Sequence, residues 1–224
     1  MAATAPVARR GFTRQQILIL CTVQLCTLLF GMTVTVANVV LPQMKGALST
    51  TQDQIAWVVT FNLVATAIGT PLTGWLATRL GWRNLMTGAV GGFVVASICC
   101  GLAPSLASLV VFRIAQGLFG APLMPLGQAI ILASFEKHHH PLVLMLWGIG
   151  GVIGPVLGPI AGGLVAESLG WRWVFFMIAP FGILAMLVAW ISLGDQERSR
   201  DTHFDWIGFA TLAIAVACLQ LIVN

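Results

Sequence analysis

Residues 147–163 read WGIGGVIGPVLGPIAGG. In a water-exposed helix, glycine costs about 1 kcal/mol relative to alanine and an internal proline about 3 kcal/mol. Yet this stretch lies inside an apolar run, 141–166, that contains no charged residue. Gly150, Gly154, Gly158 and Gly162 recur every fourth residue, which aligns them on a helix as one nearly bare stripe. Pro155 and Pro159 flank the stripe, and each removes a backbone hydrogen bond and bends the helix. Lipid supplies no hydrophobic drive for helices to associate, so close backbone approach through small residues does that work. The stretch reads as the packing seam of a bent membrane helix, and its spacing fits a static seam and a moving one equally.

The composition agrees. The chain of 224 residues is 58% hydrophobic and 8% charged, against roughly 25% charged residues in soluble domains. That excess of apolar surface requires an apolar solvent, so the chain reads as an all-α integral membrane protein. Its net charge of +4 comes from basic residues scattered at the ends of apolar runs, which is no nucleic-acid footprint. The five cysteines (Cys21, Cys26, Cys99, Cys100, Cys218) all lie within apolar runs without metal-ligand spacing, and read as small hydrophobes.

Apolar runs long enough to span a bilayer fall at 16–41, 54–78, 84–103, 107–134, 141–166, 172–193 and 205–224. The expected layout is a tail (1–15), a six-helix bundle (16–193), a polar loop (194–204) and a seventh helix (205–224). Thr51 with Gln54 marks one helix start as a capping box. Arg9, Arg10, Arg14, Arg79, Arg83, Lys137, Arg198 and Arg200 fall on one side of this layout, and Lys45 and Arg172 on the other. The bias predicts a cytoplasmic N-terminus.

GWLATRLGWR (74–83) and GLVAESLGWR (163–172) match in register at glycine, alanine, leucine, glycine, tryptophan and arginine. An odd number of spans separates the copies, so they face opposite sides of the membrane. This is the pattern of a three-plus-three inverted repeat, a transporter feature. Independent convergence of two helix ends is the alternative.

Several motifs together carry a family resemblance. TVTVANVVLP (33–42), PLTGWLATRLGWRNLM (71–86), FRIAQGLFGAPLMPLGQ (112–128), GVIGPVLGPIAGG (151–163) and WRWVFFMIAPFG (171–182) resemble, in order, the signatures of the major facilitator superfamily. More closely, they resemble its fourteen-helix drug:proton antiporter branch (EmrB/QacA-like). The resemblance implies an N-terminal six-helix bundle that rocks against a C-terminal one, with a small-molecule substrate between them and protons driving the cycle. It also implies that the C-terminal half is absent from this chain, which reads as the N-terminal half of an exporter in a bacterial inner membrane. The glycine stripe is then expected to form the seam with that second half. A non-transporting fragment, or a membrane subunit needing a partner half, is the competing reading.

Arg113 is the one charge placed well inside a span. A guanidinium there is expensive unless it faces a cavity or a partner. It reads either as a substrate or proton-pathway group or as a structural charge bonded to helix carbonyls. Gln116, three residues on, shares its face. Thr33, Asn38, Asn62, Gln24 and Gln128 are further polar groups within apolar runs, suited to a cavity or to interhelical hydrogen bonds. Trp147 is a weaker candidate for substrate contact. Gly74, Arg79, Gly81 and Arg83 form a tight turn for which the resemblance implies a gating role. That branch often carries aspartate where this chain has Thr33 and Thr78, and every carboxylate here lies at a helix end or in a loop. Proton coupling would then fall to Asp53 or to a carboxylate of the other half, or be lost. His138, His139 and His140 are adjacent and cannot converge on one metal ion, so they read as a solvated loop. No cofactor, metal, nucleotide or hydrolase motif is present, and an enzyme is not expected.

Overall fold

The computed structural model describes residues 12–194 and 205–223, and every regular element among them is helical. The first helix, α1 (Arg14–Leu48), opens on a capping box. Thr13 Oγ1 accepts from the Gln16 N–H, and the Gln16 side chain accepts from the Thr13 N–H. It closes on Ser49, which adopts the left-handed conformation with φ 52° and ψ 48°. Capping groups outside the apolar run set both ends, so α1 exceeds the expected 16–41.

Three of the expected spans are broken. The run 54–78 divides into α2 (Gln52–Gly69) and α3 (Leu72–Leu80), bent by 58°. The run 107–134 divides into α5 (Leu106–Gly120) and α6 (Leu123–Ser134), and 172–193 into α8 (Trp171–Phe176) and α9 (Ile178–Ser192). Pro71 and Pro122 stand at the first two breaks, and Pro180 lies in the first turn of α9 just past the third; each lacks the N–H that would continue the ladder. Like α1, the spans α4 (Trp82–Leu102) and α7 (His140–Leu169) are uninterrupted. Among the described residues five units are long and apolar enough to cross a bilayer, and the bent α2–α3 pair, taken as one span, makes a sixth. The seventh run yields α10 (Trp206–Val223), whose N-terminus Asp205 caps by accepting from the Gly208 N–H at 2.9 Å. The tail residues Arg9 and Arg10 and the loop residues Arg198 and Arg200 lie outside the described residues.

The inverted repeat has a backbone signature. Gly81 (φ 79°, ψ 154°) and Gly170 (φ 92°, ψ 162°) are the positive-φ glycines among the described residues. Each hands the chain to a tryptophan, Trp82 or Trp171, that starts the next helix. The same spacing relates the helix contacts. Gly69 packs on Ala121 between α2 and the α5–α6 break, and Gly158 packs on Met32 between α7 and α1. Likewise Gly117 meets Ala65, and Gly154 meets Leu28. Among the described residues, α1 to α9 form one bundle with this internal repeat, around two buried apolar clusters. One is built around Met86, Phe93, Leu126 and Ile130, the other around Met44, Ile55, Leu109 and Phe175.

The glycine stripe requires a correction. Gly150, Gly154, Gly158 and Gly162 are all buried, and what covers them is α1 of the same bundle, not a second half. A Cβ at Gly154 would stand 2.9 Å from the Leu28 carbonyl oxygen and 3.3 Å from the Gly31 Cα. One at Gly150 would meet the Gln24 amide, one at Gly158 Thr35, and one at Gly162 Val36. Pro155 packs its ring against Gly31. The opposite face of α7 carries exposed Val152, Val156 and Ile160. A bare stripe marks where a backbone comes close, and the nearest backbone is that of α1.

Candidate functional site

Helix α5 buries the face that carries Leu109, Arg113, Gln116, Gly117 and Gly120. Gly117 lets α5 approach the α2 backbone at Asn62 closely, with Ala65 beside it. That approach places Arg113 between α2 and α4 with no solvent exposure. Its Nε donates to the Val58 carbonyl at 3.1 Å, and its Nη1 donates to Gln116 Oε1 at 2.6 Å. Gln116 Nε2 donates in turn to Ser97 Oγ on α4 at 2.6 Å. Asn62 Nδ2 donates to the Arg113 carbonyl at 2.8 Å. The Phe175 ring lies 5.9 Å from the guanidinium carbon. Arg113 Nη2 is buried without a hydrogen-bond partner.

No carboxylate balances this charge among the described residues. Asp53, Glu136, Glu167 and Asp205 are all exposed. The site is a buried cation whose fork is partly satisfied by one carbonyl and one amide. It retains a free donor for a group that carries negative charge or an acceptor oxygen.

The structure thus brings together Arg113, Gln116 and Asn62. It does not bring Thr33 or Asn38 to them. Thr33 is buried, its Oγ1 donating to the Leu29 carbonyl at 2.8 Å, whereas Asn38 and Gln128 are exposed. Gln24 lies against the α7 backbone. Trp147 is half-buried, its Nε1 donating to Thr27 Oγ1 at 2.9 Å. In the turn residues, Arg79 lies over the Trp75 ring at 5.1 Å and Arg83 over the Trp190 ring at 3.9 Å. Gly81 supplies the positive φ there, and Gly74 is exposed with nothing within 4 Å of a Cβ. His138 and His139 fall in a short turn where His138 pairs with Glu136 at 3.3 Å. Ser97 and Thr27 escaped the sequence reading, because single hydroxyls in apolar runs carry no local signal of what they bind.

Residues 23–221 match the family model of the Major Facilitator Superfamily. The chain is 39% identical over 191 residues to the fatty acid resistance protein FarB of Neisseria gonorrhoeae, covering 85% of this chain and 38% of that protein. It is 35% identical over 191 residues to the multidrug export protein EmrB of Escherichia coli (strain K12), covering 85% and 37%. It therefore spans about two fifths of the length of these relatives. Among solved structures, a bacterial homologue of the lysosomal transporter Spinster superposes with a TM-score of 0.72 at 21% identity, covering 88% of this chain and 47% of that one. A D-xylose–proton symporter gives 0.72 at 17% identity, covering 92% and 53%. These two show the fold. With the six-span inverted repeat and the family match over most of its length, the chain is an integral membrane protein that belongs to the major facilitator superfamily, in the manner of an EmrB-like N-terminal bundle.

Proposed function

We propose that this chain is the N-terminal half of a proton-driven exporter that moves small hydrophobic or amphipathic compounds across a bacterial inner membrane by alternating access. Its N-terminus is cytoplasmic in this reading. The observation that carries the reading is Arg113, a fully buried cation with a free Nη2 and no carboxylate beside it among the described residues. A charge kept inside a span at such cost marks a substrate or ion pathway. The relatives named for multidrug export and fatty acid resistance support export as the direction of transport. Gln116 and Asn62 hold Arg113 in place, and a substrate acceptor or a carboxylate of the C-terminal half completes its fork. Because no carboxylate lies within a span here, proton binding falls to that half or to Asp53 at a helix end.

The test is proton-gradient-dependent dye efflux in inverted membrane vesicles containing the full-length protein. Wild type should export, and Arg113→Ala should export at least about tenfold more slowly. Efflux by Arg113→Ala at the wild-type rate would remove Arg113 from the pathway.

A further inference from the structure

The spacing that carries Gly81 onto Gly170 and Trp82 onto Trp171 also carries Gln24 onto Arg113 and Thr27 onto Gln116. The geometry follows the same relation. Arg113 reaches from the first span of the second repeat to a main-chain carbonyl on the second span of the first repeat, Val58. Gln24 reaches from the first span of the first repeat to the main chain of the second span of the second repeat. With its amide oriented to satisfy both neighbours, Oε1 accepts from the Gly150 N–H at 2.8 Å and Nε2 donates to the Leu146 carbonyl at 3.3 Å.

Leu146 C=O and Gly150 N–H are partners in a regular α-helix, four residues apart. Gln24 therefore adds its own amide to one rung of α7. Glycine at 150 is what admits it, since a Cβ there would collide with the Gln24 amide. Trp147 fixes the same turn to Thr27, the next turn of α1. Immediately beyond, Pro155 and Pro159 leave the carbonyls of Gly151 and Pro155 without their helical N–H donors. So α7 is tied to α1 at residues 146–150 and has a depleted ladder over the turns that follow.

We propose that Gln24 is a positioning residue for transport, the counterpart in the first repeat of Arg113 in the second. Its amide holds α7 at Gly150 and makes that turn the pivot about which residues 151–159 bend. The proposal rests on the export reading above. A glutamine suits the role because it offers one donor and one acceptor to a rung that has one of each. Leucine offers neither, and glutamate keeps the acceptor but turns an oxygen toward the Leu146 carbonyl.

Cys21 provides a reporter independent of transport. It is exposed and lines, with Gln24, Leu28 and Ile149, an open groove of about 540 Å³ between α1 and α7. The experiment uses the full-length protein with Cys218→Ser in inverted vesicles, ethidium as the exported dye and N-ethylmaleimide as the thiol probe. If the parent shows no gradient-driven efflux, the export reading fails, and Cys21 labelling still tests the pinning of α7. For Gln24→Leu the expected result is a maximal efflux rate lowered about three- to tenfold, the size of one interhelical hydrogen bond. KM should change by less than about twofold, and Cys21 should label several-fold faster. Gln24→Glu, which keeps one of the two bonds, should fall between parent and Gln24→Leu in both measurements, and it decides the matter if Gln24→Leu does not accumulate. Parental labelling in the variants overturns the proposal. So does slowed efflux with unchanged labelling, or faster labelling with unchanged efflux.

Discussion

Arg113 and Asn62 exchange hydrogen bonds with each other's helices. Asn62 Nδ2 donates to the Arg113 carbonyl at 2.8 Å, and Arg113 Nε donates to the Val58 carbonyl, one turn from Asn62, at 3.1 Å. The reciprocal pair clamps α2 to α5 where Gly117 permits close approach. Asn62→Leu removes one arm of the clamp. It should lower stability by about 1 kcal/mol, read as a lower melting temperature in detergent. Efflux should fall less than in Arg113→Ala, because the guanidinium keeps its Val58 and Gln116 contacts.

Gly154→Leu should do more damage to folding than to any single contact. Its Cβ would stand 2.9 Å from a main-chain oxygen, which cannot rotate away, and the rest of the side chain would have to part α1 from α7. Overpacking of this kind costs about 1–3 kcal/mol or more. Gly148→Ala is the control, since nothing lies within 4 Å of its Cβ. Thermal unfolding of purified protein should show a clear loss for the first and none for the second.

Gly81→Ala and Gly170→Ala should behave alike despite lying at different helix starts. Both positions hold positive φ with extended ψ, a conformation that costs an L-residue about 1–3 kcal/mol. At Gly170 nothing lies within 4 Å of a Cβ, so any loss there is purely a backbone effect. Unfolding measurements on the two variants, with Gly74→Ala as the unstrained reference, test the equivalence of the repeats.

Arg83 lies 3.9 Å from the centre of the Trp190 ring, linking the turn after α3 to the end of α9. A double-mutant cycle with Arg83→Gln and Trp190→Leu should return a coupling of about 0.5–2 kcal/mol. The cycle isolates the pair from the other contacts each residue makes. A coupling indistinguishable from zero would mean that the ring only shields the arginine.

The spans, the repeat and the shared face of Arg113 and Gln116 were legible because each rests on spacing along one chain segment. Helix breaks at Pro71, Pro122 and Met177 were not, since hydropathy runs straight through them. The start of α1 was not either, since its cap Thr13 lies upstream of the apolar run that begins at residue 16. The partner of the glycine stripe was misassigned for a physical reason. Four-residue spacing identifies a bare face and says nothing of which helix covers it, and α1 lies more than a hundred residues away in sequence. Ser97 and Val58 joined the Arg113 network by tertiary packing alone.

The α1–α7 seam also has a meaning for insulation. Where Gly154 and Gly31 nearly touch through their main chains, no water fits between the two helices. An exporter of the kind proposed above must not let the gradient that drives it drain through its own wall. Bulkier residues would leave crevices wherever their shapes failed to mesh, and side chains with polar tips would wet them. Pressed backbone to backbone at Gly31 and Gly154, the two helices leave no such crevice at that level of the bundle.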